Sequence, residues 1–133
     1  MPPKFGRLIL KSTDASAPAQ VYQLRMGENI IGRAAPSTPP EVNVLIKTDD
    51  RSISRTHCKI TISFGLNGWE HRLTNLTENS QTILKNDAHQ QLEIVAGDDV
   101  FLQNQYVLIL GDVELEFQIV QPDRPTNYQA PQK

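Results

Sequence analysis

Two arginines and two serines fall within five consecutive positions, Arg51-Ser52-Ile53-Ser54-Arg55, and Ile53 is the only apolar side chain among them. Such a run offers several N–H and O–H donors and a local positive charge. Its natural guest is an anion with several acceptor oxygens, and a phosphate fits best. The residues that follow are of another kind. Cys58, Ile60, Ile62 and Phe64 alternate with Lys59, Thr61 and Ser63, the period of a half-buried strand. A donor-rich loop carried on a rigid strand is the usual arrangement of a binding site.

Other chemistries find less support. Ser54 and His57 share a segment, but no strained nucleophile elbow or third triad member accompanies them, so an enzyme is not expected. His71 and His89 have no ligand spacing with Cys58 or with each other, so no metal is expected, and no cofactor motif appears. Cys58 lies on the apolar side of its strand and reads as a buried core thiol. As the single cysteine of the chain it cannot form an internal disulfide, which fits a nuclear or cytoplasmic setting.

With 133 residues, the chain is one domain by length. Apolar residues make up 38% and charged residues only 21%, a globular composition. The net charge of −2 argues against a direct nucleic-acid partner or an acidic membrane surface, which attract basic proteins. The first apolar run is too short for a signal peptide, and no segment approaches the roughly 20 apolar residues of a membrane helix.

The elements that must position the loop are all short strands. The pattern predicts them at residues 5–10, 21–24, 29–33, 42–46, 57–64, 69–76, 82–85, 91–95, 100–103, 106–110 and 113–120. Residues 11–19 read as a turn. Residues 34–40 hold Pro36, Pro39 and Pro40, so they form a loop, since proline cannot continue a ladder. Gly65-Leu66-Asn67-Gly68 is a hairpin signal in which Asn-Gly supplies positive φ, and Trp69 beside it reads as a packing residue. No segment has a helical period. About eleven strands with turns between them predict an all-β fold, a two-sheet antiparallel sandwich. Residues 1–4 read as an N-terminal tail and 121–133 as a flexible C-terminal tail or linker.

Taken in order, Gly32-Arg33, Ser54-Arg55-Thr56-His57, Asn75-Leu76, Thr82, Asn86 and Gly97-Asp98 form a set. It resembles the forkhead-associated (FHA) domain family, whose pattern runs Gly-Arg, Ser-x-x-His, a loop ending Asn-Gly-Thr, and a late Gly-Asp. The resemblance covers residues 5–120. It implies a SMAD/FHA-like sandwich that binds phosphothreonine peptides with loops at one end. It further implies that Arg33 and Ser54 contact the phosphate, that Arg55 adds a second basic contact, and that Gly32, His57 and Thr82 support the site. Taken alone, Arg33 would read as a surface arginine paired with Asp49 or Asp50, and Ser54 as a turn cap; the matching set reverses both readings.

One departure stands out. Where the family has Asn-Gly-Thr, this chain has Ser80-Gln81-Thr82. The family asparagine bonds the ligand main chain; Ser80 is shorter, and Asn79 is the residue placed to substitute. Gln81 in place of glycine implies a changed loop backbone.

A phosphothreonine brings about −1.5 to −2 charges and three acceptor oxygens. Charge-assisted bonds of roughly 1.5–3 kcal/mol each, less ordering costs, give on the order of −7 to −9 kcal/mol, a micromolar complex. The resemblance implies a phosphothreonine-containing partner protein, and, as for many family members, a place for this module in nuclear signalling or the DNA-damage response, within a larger kinase or adaptor. The alternative is a phosphate-independent interaction or dimerisation domain of the same fold, motivated by the Ser80-Gln81 departure. Thr126 in the tail offers a group that, once phosphorylated, a second copy could bind to form a homodimer, although a plain linker threonine is the simpler reading.

Overall fold

The computed structural model describes residues 5–10, 20–48, 51–66 and 68–119. The expectations for residues 1–4, 11–19 and 121–133, for Asp49, Asp50 and Asn67, and for a phosphorylated Thr126 lie outside the described residues. The described residues form eleven strands: β1 (Arg7–Leu10), β2 (Gln20–Gln23), β3 (Gly27–Arg33), β4 (Val44–Ile46), β5 (Cys58–Gly65), β6 (Gly68–Asn75), β7 (Thr82–Lys85), β8 (Gln91–Glu93), β9 (Asp99–Phe101), β10 (Val107–Leu110) and β11 (Val113–Gln118). They make a six-stranded sheet in the order β2-β1-β11-β10-β7-β8 and a five-stranded sheet in the order β4-β3-β5-β6-β9.

Alternation of side chains explains the two layers. Val113, Leu115 and Phe117 of β11 are buried while Glu114, Glu116 and Gln118 between them stay half-exposed. Cys58, Ile60 and Ile62 of β5 do the same from the facing sheet. Leu8, Ile31, Ile46, Leu73, Leu108 and Leu110 complete a core with almost no solvent access, the main favourable term in folding. Cys58 is fully buried, and burial pushes its thiol pKa far up, so it stays a protonated core group.

Two details depart from expectation. The two-sheet sandwich is mostly antiparallel as expected, and the exception is β4, which runs parallel to β3, with Ile31 opposite Val44 and Arg33 opposite Ile46. The proline-bearing connection is responsible. It carries the chain back along β3, where Asn43 N–H donates to Ile30 O at 3.1 Å and Asn43 Oδ1 accepts from Ile30 N–H at 2.7 Å. Phe64 shares the face of Cys58, Ile60 and Ile62 but is not buried: it is about half exposed (53%), next to the last residue of β5. There it meets Trp69 edge-on at 5.1 Å, and Trp69 meets Phe5 at 5.4 Å, so Trp69 does pack the hairpin. The hairpin itself closes with Gly65 opposite Gly68, and Gly68 carries the positive φ (+98°), which only glycine adopts without strain.

Candidate functional site

Two loops meet at one end of the sandwich: residues 51–57, between β4 and β5, and residues 76–81, between β6 and β7. Ile53 anchors the first. Its side chain is fully buried, and around this plug the polar neighbours Arg51, Ser54 and Arg55 stay at the surface or half-buried. The loop backbone is clamped against β3 by Arg33 N–H to Ser54 O (3.0 Å) and His57 N–H to Ile31 O (2.8 Å). Gly32 is what permits this approach. A Cβ at position 32 would lie 1.8 Å from Arg55 O, far inside contact distance.

The other flank is held by the β10–β11 turn. Ser52 Oγ accepts from Asp112 N–H at 2.8 Å, and Gly111 approaches so closely that a Cβ there would meet Ser52 O at 2.2 Å, on a left-handed backbone (φ +63°). Gly111 N–H donates to Gln81 O at 2.8 Å, so the same turn steadies both loops.

His57 sits at the centre and is fully buried. Its Nδ1 accepts the N–H of Ser54 at 3.0 Å. That fixes the neutral tautomer with the proton on Nε2, which then donates towards Gln81 O (3.1 Å) and Thr82 Oγ1 (2.9 Å). Burial lowers the ring's pKa from 6.5 to about 4, against a smaller upward pull from the Gln81 carbonyl. Thr82 passes its own hydroxyl proton to Asn75 Oδ1 at 2.9 Å. Asn75 Nδ2 donates to Thr77 O (3.2 Å) and Ile94 O (2.8 Å). The ring closes through Thr77 Oγ1, 3.1 Å from Ser54 Oγ. Buried polar groups satisfied in this way rigidify what they hold.

The ring also determines what Ser54 can do. Thr77 Oγ1 already accepts the N–H of Asn79 at 3.0 Å, so its own proton is available to Ser54 Oγ. Ser80 Oγ lies 2.7 Å from the same oxygen. With Thr77 or Ser80 donating to it, the Ser54 hydroxyl is released to donate outward, towards an anion.

Arg33, Arg51, Ser54, Arg55, Asn79 and Ser80 all line one cleft of about 660 Å³. Arg33 is oriented by its Nε, which donates to Ile53 O at 3.1 Å. Arg55 reaches the proline-bearing loop, with Nη1 donating to Ser37 Oγ at 2.6 Å. Asn79 is exposed on the rim. The residues singled out from the sequence are thus brought to one place, Gly32, His57 and Thr82 beneath the loops and the others on the cleft. Gln81 does not need the glycine conformation, since among described non-glycine residues only His89 and Gln105 have positive φ. The sequence set contains Asn75 without giving it a role, and sequence reasoning missed Thr77 and Gly111 as parts of the support and Arg51 as a lining residue. Arg51 had a signal, its place in the same donor-rich run; Thr77 had none. Among the described residues no group of three or more His, Cys, Asp or Glu could hold a metal, and no helix is long and apolar enough to cross a membrane.

Fold and site together define a β-sandwich whose loops build a cationic, hydroxyl-lined cleft of the kind that takes a phosphorylated group. The chain belongs to the FHA domain family, which it matches over residues 29–111, a span holding the whole ring and the glycines that clamp it. It is 29% identical over 109 residues to a probable serine/threonine-protein kinase of Dictyostelium discoideum, a match covering 82% of this chain and 10% of the kinase; the chain spans about a tenth of that relative's length. Among solved structures, it is similar to an FHA domain studied for phosphothreonine-dependent interactions, at 25% identity and a TM-score of 0.60, covering 87% of this chain and 97% of that one. It is likewise similar to the FhaA FHA domain solved in complex with the intracellular domain of another protein, at 26% identity and a TM-score of 0.57, covering 85% and 99%.

Proposed function

We propose that this chain is a phosphothreonine-peptide binding module that mediates phosphorylation-dependent protein–protein interaction. The observation that carries the reading is the convergence of Arg33, Arg51 and Arg55 with the Ser54 hydroxyl on one cleft. Arg33 and Ser54 hold the phosphate, Arg55 adds charge from the rim, and Asn79 and Ser80 flank the peptide main chain. Gly32, His57 and Thr82 keep the loops in place. The FHA domain itself runs from residue 5 to 120, with 121–133 a tail or linker.

The same reading extends to context. We place the module in nuclear signalling or the DNA-damage response, within a larger kinase or adaptor, the kinase relative being the support for the last point. Phosphorylated Thr126 bound by a second copy would add a homodimer. Imaging the tagged full-length protein before and after DNA damage tests the placement: retention outside the nucleus in both states contradicts it.

The binding reading is tested with an oriented peptide library carrying fixed phosphothreonine. Selective enrichment over the matching unphosphorylated library is expected. Equal recovery of the two would support the second reading, a phosphate-independent interface, which draws on Ser80 engaging Ser54 where the family has an asparagine. That interface would survive both Arg33→Ala and added free phosphate.

A further inference from the structure

The cleft has a second compartment. Beyond the portion that contains Ser54, Thr77 and Ser80, a space of about 410 Å³ opens towards the proline-bearing loop, lined by Arg33, Ala35, Pro36, Ser37, Arg51 and Arg55. Arg33, Ser37, Arg51 and Arg55 border both spaces, so the two adjoin. Their chemistry differs. The first has the hydroxyls and one carboxylate, Glu78, on its wall. The second has three guanidiniums and, among the described residues, no acidic side chain on its wall.

Three guanidiniums exceed what one phosphate requires. A phosphothreonine brings about −1.5 to −2 charges. Arg33 is steered by Ile53 O, and Arg55 is tied to Ser37. Arg51 is exposed and makes no hydrogen bond or ion pair with any described residue, so its whole donor fork remains to be used. A planar fork left unpaired beside two other cations is poised for an incoming anion, which gains bidentate bonds and relieves the mutual repulsion.

We propose that the preferred ligand carries a second anionic group, phosphate or carboxylate, on a residue flanking the phosphothreonine, and that Arg51 binds it in this second compartment. The inference rests on the phosphothreonine reading above and names the ligand class more narrowly. The module thereby selects acidic or doubly phosphorylated segments over isolated phosphothreonines.

The test measures affinities of the whole 133-residue chain for a phosphothreonine peptide and for twins with a phosphoserine or a glutamate immediately before or after it. A further twin carries the phosphoserine at the far end of the peptide. One adjacent twin is expected to bind about tenfold tighter than the parent, and the distal twin no more than about threefold tighter, as long-range attraction is screened. In Arg51→Gln the adjacent gain is expected to shrink to within about threefold, whatever that variant does to the parent affinity, with an unchanged melting curve showing that it folds. The glutamate twin tells carboxylate from phosphate as the source. A parent peptide that binds without any adjacent gain, a gain that is equal at the distal position, or one that persists in Arg51→Gln overturns the inference and leaves the phosphothreonine reading standing. Absence of binding to all phosphorylated peptides overturns both.

Discussion

The backbone N–H of Ser54 donates to Nδ1 of His57 at 3.0 Å, so the loop that presents the serine hydroxyl depends on a neutral imidazole. A proton on Nδ1 would remove the acceptor and place a charge in a fully buried position. This one contact links fold stability to site geometry, because the same ring grips Thr82 and Gln81 of the opposing loop.

The ring's pKa, lowered from 6.5 to about 4, sets a pH window. The unfolded chain binds a proton on this histidine between those values and the folded chain does not. Stability from this group is therefore fully present above about pH 6.5 and is lost as pH falls towards 4, by on the order of 3 kcal/mol. Denaturant melts of the wild type and His57→Gln across this range should diverge: the variant is less stable at neutral pH and loses less on acidification. Parallel curves would contradict the role given to His57. Peptide affinity should weaken earlier in the same acidification, as pH falls below about 6 and the phosphate takes up its second proton.

Gly32→Ala tests the clamp. Its Cβ would collide with the backbone oxygen of Arg55, which cannot rotate away as a side chain could. The loop must shift, at a cost of about 2 kcal/mol or more, and phosphopeptide affinity should fall with it. A variant of wild-type stability and affinity would show that the loop lies elsewhere.

Thr77 tests the route by which Ser54 is freed to donate. Thr77→Val removes the hydroxyl that can donate to Ser54 and also accepts from Asn79 N–H. Affinity should fall about tenfold and stability by about 1–2 kcal/mol. Thr77→Ser, which restores the hydroxyl alone, should recover most of both. Failure of the serine to rescue affinity would mean that the methyl group and packing were at issue.

Much of this was legible in the sequence because strands announce themselves by period. The eleven strands, the proline-bearing loop and the burial of Cys58 follow from alternation and turn residues. The direction of β4 was not legible, because nothing local distinguishes a strand that returns along its neighbour from one that folds back on it. The exposure of Phe64 was not legible because alternation gives a face but not how far along the strand burial extends. The site loops were visible as donor-rich runs, yet the ring beneath them was not. Asn75 stood in the matching set without a role and Thr77 is an ordinary polar residue until the fold brings them within reach of Thr82 and Ser54. Gly111 reads as one more turn glycine; only its contact with Ser52 shows that it supports the site.

The most direct test of the central claim is calorimetric titration of a phosphothreonine peptide selected from the library, and of its unphosphorylated twin, into the wild-type chain and Arg33→Ala. The account predicts micromolar binding of the phosphorylated peptide to the wild type, none detectable for the twin, and a loss of at least about 100-fold in the variant, with a melting curve displaced only slightly by loss of the bond to Ile53 O. Equal affinity for the two peptides, or full affinity in a folded Arg33→Ala, would contradict it.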